Sequence, residues 1–301
     1  MQQIVTIDIG GTHVRFALAG IGANSVISLG EPTTFLTADY PSLERAWAAF
    51  GVRLGQALPH AVAISFAGPV HGEVLKLTNS SWLIRPATAG ASLGVETATL
   101  INDFAAVGHA IAHVGSEHFR HVCGPGIALP ERGTISIVGP GTGLGVAHVL
   151  RTASGYHVNE TEGGHADFSP LDAVEDRIVA TLRARYRRVS AERLASGPGL
   201  KNIYDVIARR DPLRKSYDDD LLWAAALDGS DTFASLALDR FCLCLGAVAG
   251  DIALAQGGKG VVMPAAWVFT WRTGWHSRAS RCASPPRAGS RHSCLPFRSR
   301  C

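Results

Sequence analysis

Asp8 stands two residues ahead of the pair Gly10-Gly11, and Thr12 follows directly, in the stretch IVTIDIGGTHVRFAL (4–18). A glycine turn lets backbone N–H groups approach an oxyanion without interference from Cβ atoms, so it can cradle a phosphate. The acid can then hold a hydrated Mg²⁺ beside that phosphate, while Thr12 donates a hydroxyl. The plainer reading of the same residues is a tight hairpin with a satisfied aspartate. A second turn, GPGTGLG (139–145), again carries a threonine, Thr142, and shifts the balance towards chemistry. Two such turns facing each other could grip successive phosphates of one nucleotide. Neither fits GxxxxGK[ST], and neither leads from a strand directly into a helix, which excludes P-loop and Rossmann sites.

Three further stretches carry polar side chains at telling places. In LINDFAAVG (100–108), Asp103 falls where a strand gives way to a helix, at the edge of a cleft. Its plainer role is to cap that helix, leaving Asn102 incidental. Together, though, the amide and the carboxylate offer what a polyol needs: a donor, an acceptor and a base for a hydroxyl proton. In NETEGGHADF (159–168), Glu162 and His165 sit three residues apart around two glycines. They could supply two metal ligands, but no third or fourth follows nearby, and the alternative is a solvated loop. In VSAERLASGPG (189–199), Ser190 suits a helix cap and Glu192 the first turn, where an acid answers the helix dipole.

The elements that must position these residues are readable from periodicity. Apolar residues alternate on both sides of Gly10-Gly11 as in a strand pair, and SVISLGEPTTFLT continues as strand. Pro41 opens a helix in which Leu43, Ala46, Trp47 and Phe50 recur at helical spacing. HAVAISFAGPV (60–70) is a strand stopped by Gly68-Pro69, TATLIN (97–102) a strand before a helix, and GTISIVGPGTGLGVAHVL (133–150) a second strand–turn–strand unit. Beyond residue 169 the spacing is mainly helical. Strand units followed by runs of helices indicate a mixed α/β chain in two lobes.

Composition narrows the class. The chain has 301 residues, 47% hydrophobic and 18% charged, as expected of a soluble globular protein. No continuous apolar run reaches a membrane span and no secretion signal is evident, which points to the cytoplasm. The six cysteines show no metal spacing and are expected to be free thiols. The formal charge of +3 is uneven: Pro264 to Cys301 holds seven arginines and no Asp, Glu or Lys, so residues 1–263 carry −4. A nucleic-acid partner would rest on that tail alone and is not expected.

The order of these stretches resembles the bacterial glucokinase family, ATP-dependent hexose kinases of the actin/hexokinase/Hsp70 superfamily. The matching strings are DIGGTHVRFAL, DYPSLE, LTNSSW, INDFAAVG, GPGTGLGVAH, EGGHADF and SAERLASGPGL, in order from residue 4 to about 210. His13 departs from the family's usual Asn. The resemblance implies a two-lobed actin-like ATPase (ribonuclease H-like) fold, with mixed sheets flanked by helices and with sugar and ATP in the interlobe cleft. A small domain over 1–110 would be followed by a large domain over 111–263. It implies that Asp8, Gly10, Gly11 and Thr12 form the first phosphate motif, with Asp8 holding Mg²⁺ through water. Gly141, Thr142 and Gly143 would form the second. Asp103 would be the base that takes the proton of the sugar 6-hydroxyl. Asn102, Glu162, His165 and Glu192 would hold other hydroxyls, with Thr78 and Asn79 in a loop near the sugar. ATP is then the co-substrate, glucose the acceptor and a homodimer the assembly, with no nucleic-acid or membrane partner. The related ROK kinases carry a cysteine-rich zinc motif after their His; ADFSPLDAVEDRI after His165 has no cysteine, so no zinc site is expected.

From about residue 264 the chain departs from the family. Three of the six tryptophans and three of the six cysteines fall within Pro264–Cys301, beside seven arginines and six serines. This is the composition of a GC-rich gene read out of frame, and a frameshift near Met263 is the expectation. In the family that stretch contributes an Ala-Gly-Gly turn to the adenine pocket, so the alternative to a working kinase is a catalytically impaired sugar-binding protein.

Overall fold

Apolar alternation about Gly10-Gly11 folds into the antiparallel pair β1 (Gln2–Ile9) and β2 (His13–Ile21), with Asp8 directly opposite Arg15. The computed structural model describes residues 2–22, 26–77, 80–126, 128–212 and 214–264, and the backbone of 299–300. The chain divides into two compact units, Met1–Val107 and Gly108–Cys301.

In the first unit β3 (Val26–Leu29) and β4 (Thr33–Leu36) both pair antiparallel with β2. Helix α1 (Leu43–Leu54) buries Leu43, Ala46, Trp47 and Phe50, the four positions its periodicity marked, and ends at Gly55 in the left-handed region. It covers the sheet face that carries Ile7, Ile9, Phe16 and Ile64, where the Phe16 and Phe50 rings stack with centroids 5.0 Å apart. Strand β5 (Ala61–Phe66) runs parallel to β1. A short ladder of β6 (Leu75–Lys76) and β7 (Leu83–Ile84) and the helix α2 (Ala89–Leu93) lead to β8 (Thr97–Asn102), parallel to β5. The strand order β3-β2-β1-β5-β8 places three parallel strands side by side, and Ile9, Phe66 and Asn102 are neighbours in register at their carboxyl ends.

Helix α3 (Asp103–His113) follows β8 without a break. The second unit then contains β9 (His121–Cys123), β10 (Gly133–Pro140), β11 (Leu144–Thr152) and β12 (Gly155–Thr161). Four helices follow: α4 (Ala173–Tyr186), α5 (Gly197–Ile207), α6 (Asp219–Asp228) and α7 (Thr232–Gln256), then β13 (Gly258–Val262) beside the backbone of β14 (Ser299–Arg300). The sheet order is β12-β11-β10-β13-β14-β9. Asp172, Asp218 and Asp231 cap α4, α6 and α7 by accepting backbone N–H groups, which is why each helix begins where an aspartate stands.

Helix α7 is the centre of this core. By length and composition it could cross a membrane, which qualifies the expectation that no segment was apolar enough, yet half of its most apolar window is buried inside the fold. Its Arg240 reaches the fully buried Glu175 of α4 at 3.0 Å, and Glu175 accepts the Leu171 N–H at 2.7 Å with its other oxygen. A buried carboxylate is tolerated only when its lone pairs are met in this way. Cys123, Cys242 and Cys244 form no disulfide among the described residues; the other three cysteines, like the tail over 265–298, lie outside them.

Candidate active site

In the first unit the DIGGTH turn joins β1 to β2. Gly10 donates its N–H to the His13 carbonyl at 2.9 Å, closing the turn. The carbonyls that follow are held by one residue: Thr37, only 3% exposed, donates its hydroxyl to Gly11 at 2.9 Å and its N–H to Thr12 at 3.0 Å. With the carbonyls held on one side, the Gly11 and Thr12 N–H groups, which meet no backbone carbonyl among the described residues, are left as an adjacent pair of donors.

Asp8 lies between two strands, and both neighbours use it. Arg15, opposite on β2, donates to Oδ2 at 3.0 Å; Ser65, opposite on β5, donates to Oδ1 at 2.8 Å. The Asp8 side chain remains 48% exposed. On this face, away from α1, the three residues border a cavity of about 340 Å³ with Thr6, Thr99 and Ile101. Each carboxylate oxygen holds one donor and keeps a further lone pair, so Asp8 fits a metal reached through water. Among the described residues no group of three or more His, Cys, Asp or Glu could itself enclose a metal ion.

At the same carboxyl edge, two strands and hence about 10 Å along from Ile9, β8 ends in Asn102. The helix cap expected of Asp103 belongs chiefly to Asn102. Its Oδ1 accepts the N–H groups of Phe104 at 2.8 Å and Ala105 at 3.1 Å, and its Nδ2 donates to the Gly68 carbonyl at 3.0 Å. Asp103 becomes the first helical residue, with Oδ1 accepting the Phe104 N–H at 2.9 Å. Asn102 is thus not incidental: it fixes where Asp103 stands.

In the second unit three of the polar stretches meet at one residue, Leu144. The GPGTGLG turn joins β10 to β11, and Gly141 donates its N–H to Gly143 at 2.7 Å while its carbonyl accepts the Gly197 N–H at 2.7 Å. Glu192 reaches back across the sequence to accept the Leu144 N–H with Oε2 at 3.1 Å. Gly164 lies against the same residue from the other side; a Cβ there would stand 2.2 Å from the Leu144 carbonyl oxygen, so the position admits only glycine. The Ala166 carbonyl accepts the Ala191 N–H at 2.8 Å, and Asp167 bridges to Ser190. Glu162, His165 and Glu192 are therefore borne by adjoining turns.

Two local expectations change here. NETEGGH is not a solvated loop: residues 159–161 complete β12, and Gly163–His165 form a 3-10 turn with Gly164 buried. Ser190 makes no side-chain cap; Ala191–Arg193 is a single 3-10 turn held by backbone bonds, and the true helix, α5, starts at Gly197. Glu162 Oε2 and His165 Nε2 are 3.5 Å apart, with both side chains more than half exposed. Thr78 and Asn79 lie outside the described residues. Thr37 and Ser65 had no sequence signal, since strand pairing across 26 and 57 residues brings them in; Arg15 was readable from the hairpin register about Gly10-Gly11.

The protein-family model described as Glucokinase matches residues 5–265. The glucokinase of Zymomonas mobilis subsp. mobilis is 59% identical over 263 residues, covering 87% of this chain and 81% of that one. Among solved structures, the glucokinase from an Antarctic psychrotroph superposes with a TM-score of 0.79 at 27% identity, covering 99% of this chain and 94% of that one. A ROK family glucokinase from Streptomyces griseus, in complex with glucose and AMPPNP, gives 0.54 at 18% identity, covering 87% and 82%; at that identity the likeness is one of fold. The family match stops where the arginine-rich composition begins.

Proposed function

This chain belongs to the glucokinase family, and from that premise we propose how its residues divide the ATP-dependent phosphorylation of glucose. The γ-phosphoryl group of ATP passes to the sugar 6-hydroxyl: the O6–P bond forms, the bond to ADP breaks, and the hydroxyl proton goes to Asp103. Phosphoryl transfer depends mainly on positioning and on charge neutralisation, so the protein's part is to hold groups still. The observation that carries the reading is the placement of Asp103 at the first turn of α3, fixed by the Asn102 cap, on the same sheet edge as the DIGGTH turn.

The donors of Gly11 and Thr12, and those of Thr142 and Gly143, suit phosphate oxygens. Asp8, steadied by Arg15 and Ser65, would hold Mg²⁺ through water, and that ion would neutralise phosphate charge. Glu162, His165 and Glu192 take sugar hydroxyls other than the 6-hydroxyl, and Asn102, whose Oδ1 is spent on the helix, has its remaining amide N–H to offer. Thr78 and Asn79 are placed near the sugar by resemblance. ATP as donor follows from membership of the glucokinase family. The same reading makes the enzyme cytoplasmic and homodimeric, with small-molecule substrates only.

The test is ADP release by the 301-residue chain with ATP and Mg²⁺, with and without glucose. Release should require glucose and should fall by about 10²–10⁴-fold in Asp103→Asn, the contribution typical of a general base. Release that is independent of glucose, or undiminished in Asp103→Asn, overturns the assignment.

A further inference from the structure

Glu192 has two carboxylate oxygens, and the second phosphate turn uses only one. Oε2 accepts the Leu144 N–H at 3.1 Å, and it lies so near the turn that a Cβ on Gly143 would stand 2.5 Å from it. Oε1 takes no hydrogen bond among the described residues, and the side chain is only partly buried. The turn itself is anchored at its other end, where the Gly197 N–H reaches Gly141. Between these two anchors stand Thr142 and Gly143, whose amides are the ones left for a phosphate. The anchor at Gly141 is backbone to backbone and offers no further group for a ligand to engage; the anchor at Leu144 is a side chain with a second oxygen that a ligand can reach.

We infer that Glu192 is a positioning residue for the second phosphate turn, a strut whose Oε2 holds Leu144 while Oε1 takes a sugar hydroxyl. This rests on the reading of Glu192 as a sugar ligand and adds a consequence to it. A free glutamate side chain moves among rotamers; a sugar hydroxyl donating to Oε1 stops that movement and thereby steadies the Leu144 N–H at the far oxygen. Sugar occupancy then sets the turn in the geometry that accepts phosphate. By linkage, ATP tightens sugar binding by the same factor that sugar tightens ATP binding. The packing of Gly164 on the Leu144 carbonyl makes this one residue answer to both the Glu162–His165 turn and Glu192.

Glu192→Ala and Glu192→Gln separate the two roles. Gln keeps an oxygen for the Leu144 N–H and loses the charge towards the sugar; Ala loses both. The measurements are glucose affinity, and the hydrogen exchange of the Leu144 amide with and without saturating glucose, with circular dichroism confirming the fold of each variant. Glucose should slow Leu144 exchange in the natural chain and in Glu192→Gln, and should leave it unchanged in Glu192→Ala. Where turnover is measurable, KM for ATP at saturating glucose should rise about tenfold in Ala and largely recover in Gln, as expected for one hydrogen bond that a neutral oxygen can also accept. If both variants bind glucose as the natural chain does, the sugar-ligand reading fails and the strut with it. If glucose affinity drops while Leu144 exchange in the natural chain ignores glucose, the sugar reading stands and the strut is overturned.

Discussion

The side-chain amide of Asn102 donates to the Gly68 carbonyl at 3.0 Å, tying the end of β8 to the turn that follows β5. The same side chain caps α3, so the tie runs on to the first turn of the helix that carries Asp103. Gly68 has φ +149, a backbone setting that favours glycine, and it presents its carbonyl to Asn102 in that setting.

Asn102→Ala should therefore lower the stability of the sugar-free protein by about 1–2 kcal/mol, the value of a lost cap and its companion bond. Urea unfolding reads this directly. A residue that served only to bind sugar would leave the unliganded stability where it was.

Thr37→Val keeps the N–H bond to Thr12 and the shape of the side chain, and removes only the hydroxyl from Gly11. Leaving that carbonyl without its partner should cost about 1–2 kcal/mol. If the DIGGTH turn holds phosphate as proposed, its loosening should raise KM for ATP several-fold with glucose KM unchanged; steady-state kinetics with each substrate varied in turn would show the split.

Tyr217 gives a signature at alkaline pH. Burial, and then the neighbouring Asp231 that its hydroxyl contacts at 3.0 Å, push the Tyr217 phenol up to about 12. The unfolded chain releases this proton near pH 10, so above that pH the native state binds more protons than the unfolded one. The contribution is complete below pH 10 and is lost as the pH rises towards 12. Tyr217→Phe should flatten that part of the stability–pH curve, as followed by thermal unfolding between pH 9 and 12.

The end of the family match at residue 265 predicts the weak point of this chain. Joining a family-type ending after Met263 should tighten ATP binding and raise the unfolding temperature, while glucose affinity changes less, because the residues proposed to hold the sugar all precede residue 200. Titration calorimetry of both forms compares the affinities. Resequencing codons 255–270 decides the frameshift: an uninterrupted, confirmed frame ends that explanation.

Much of the molecule was legible in one dimension because its signals are local. Alternation about Gly10-Gly11 marked the β1–β2 strand pair, and helical spacing marked the four residues that α1 buries. The motif order alone pointed to the kinase family, since seven ordered strings leave little freedom. What the tertiary structure decided is who holds these residues. Ser65 reaches Asp8 through a parallel pairing 57 residues away, Thr37 reaches Gly11 across 26, and Glu192 reaches Leu144 across 48. Such partners leave no trace in spacing, because a parallel strand or a returning turn sets its register by how cores pack and not by neighbouring residues. The cap shows the same division at short range: Asn and Asp are both good caps, and only the bond from Asn102 to Gly68 chose between them.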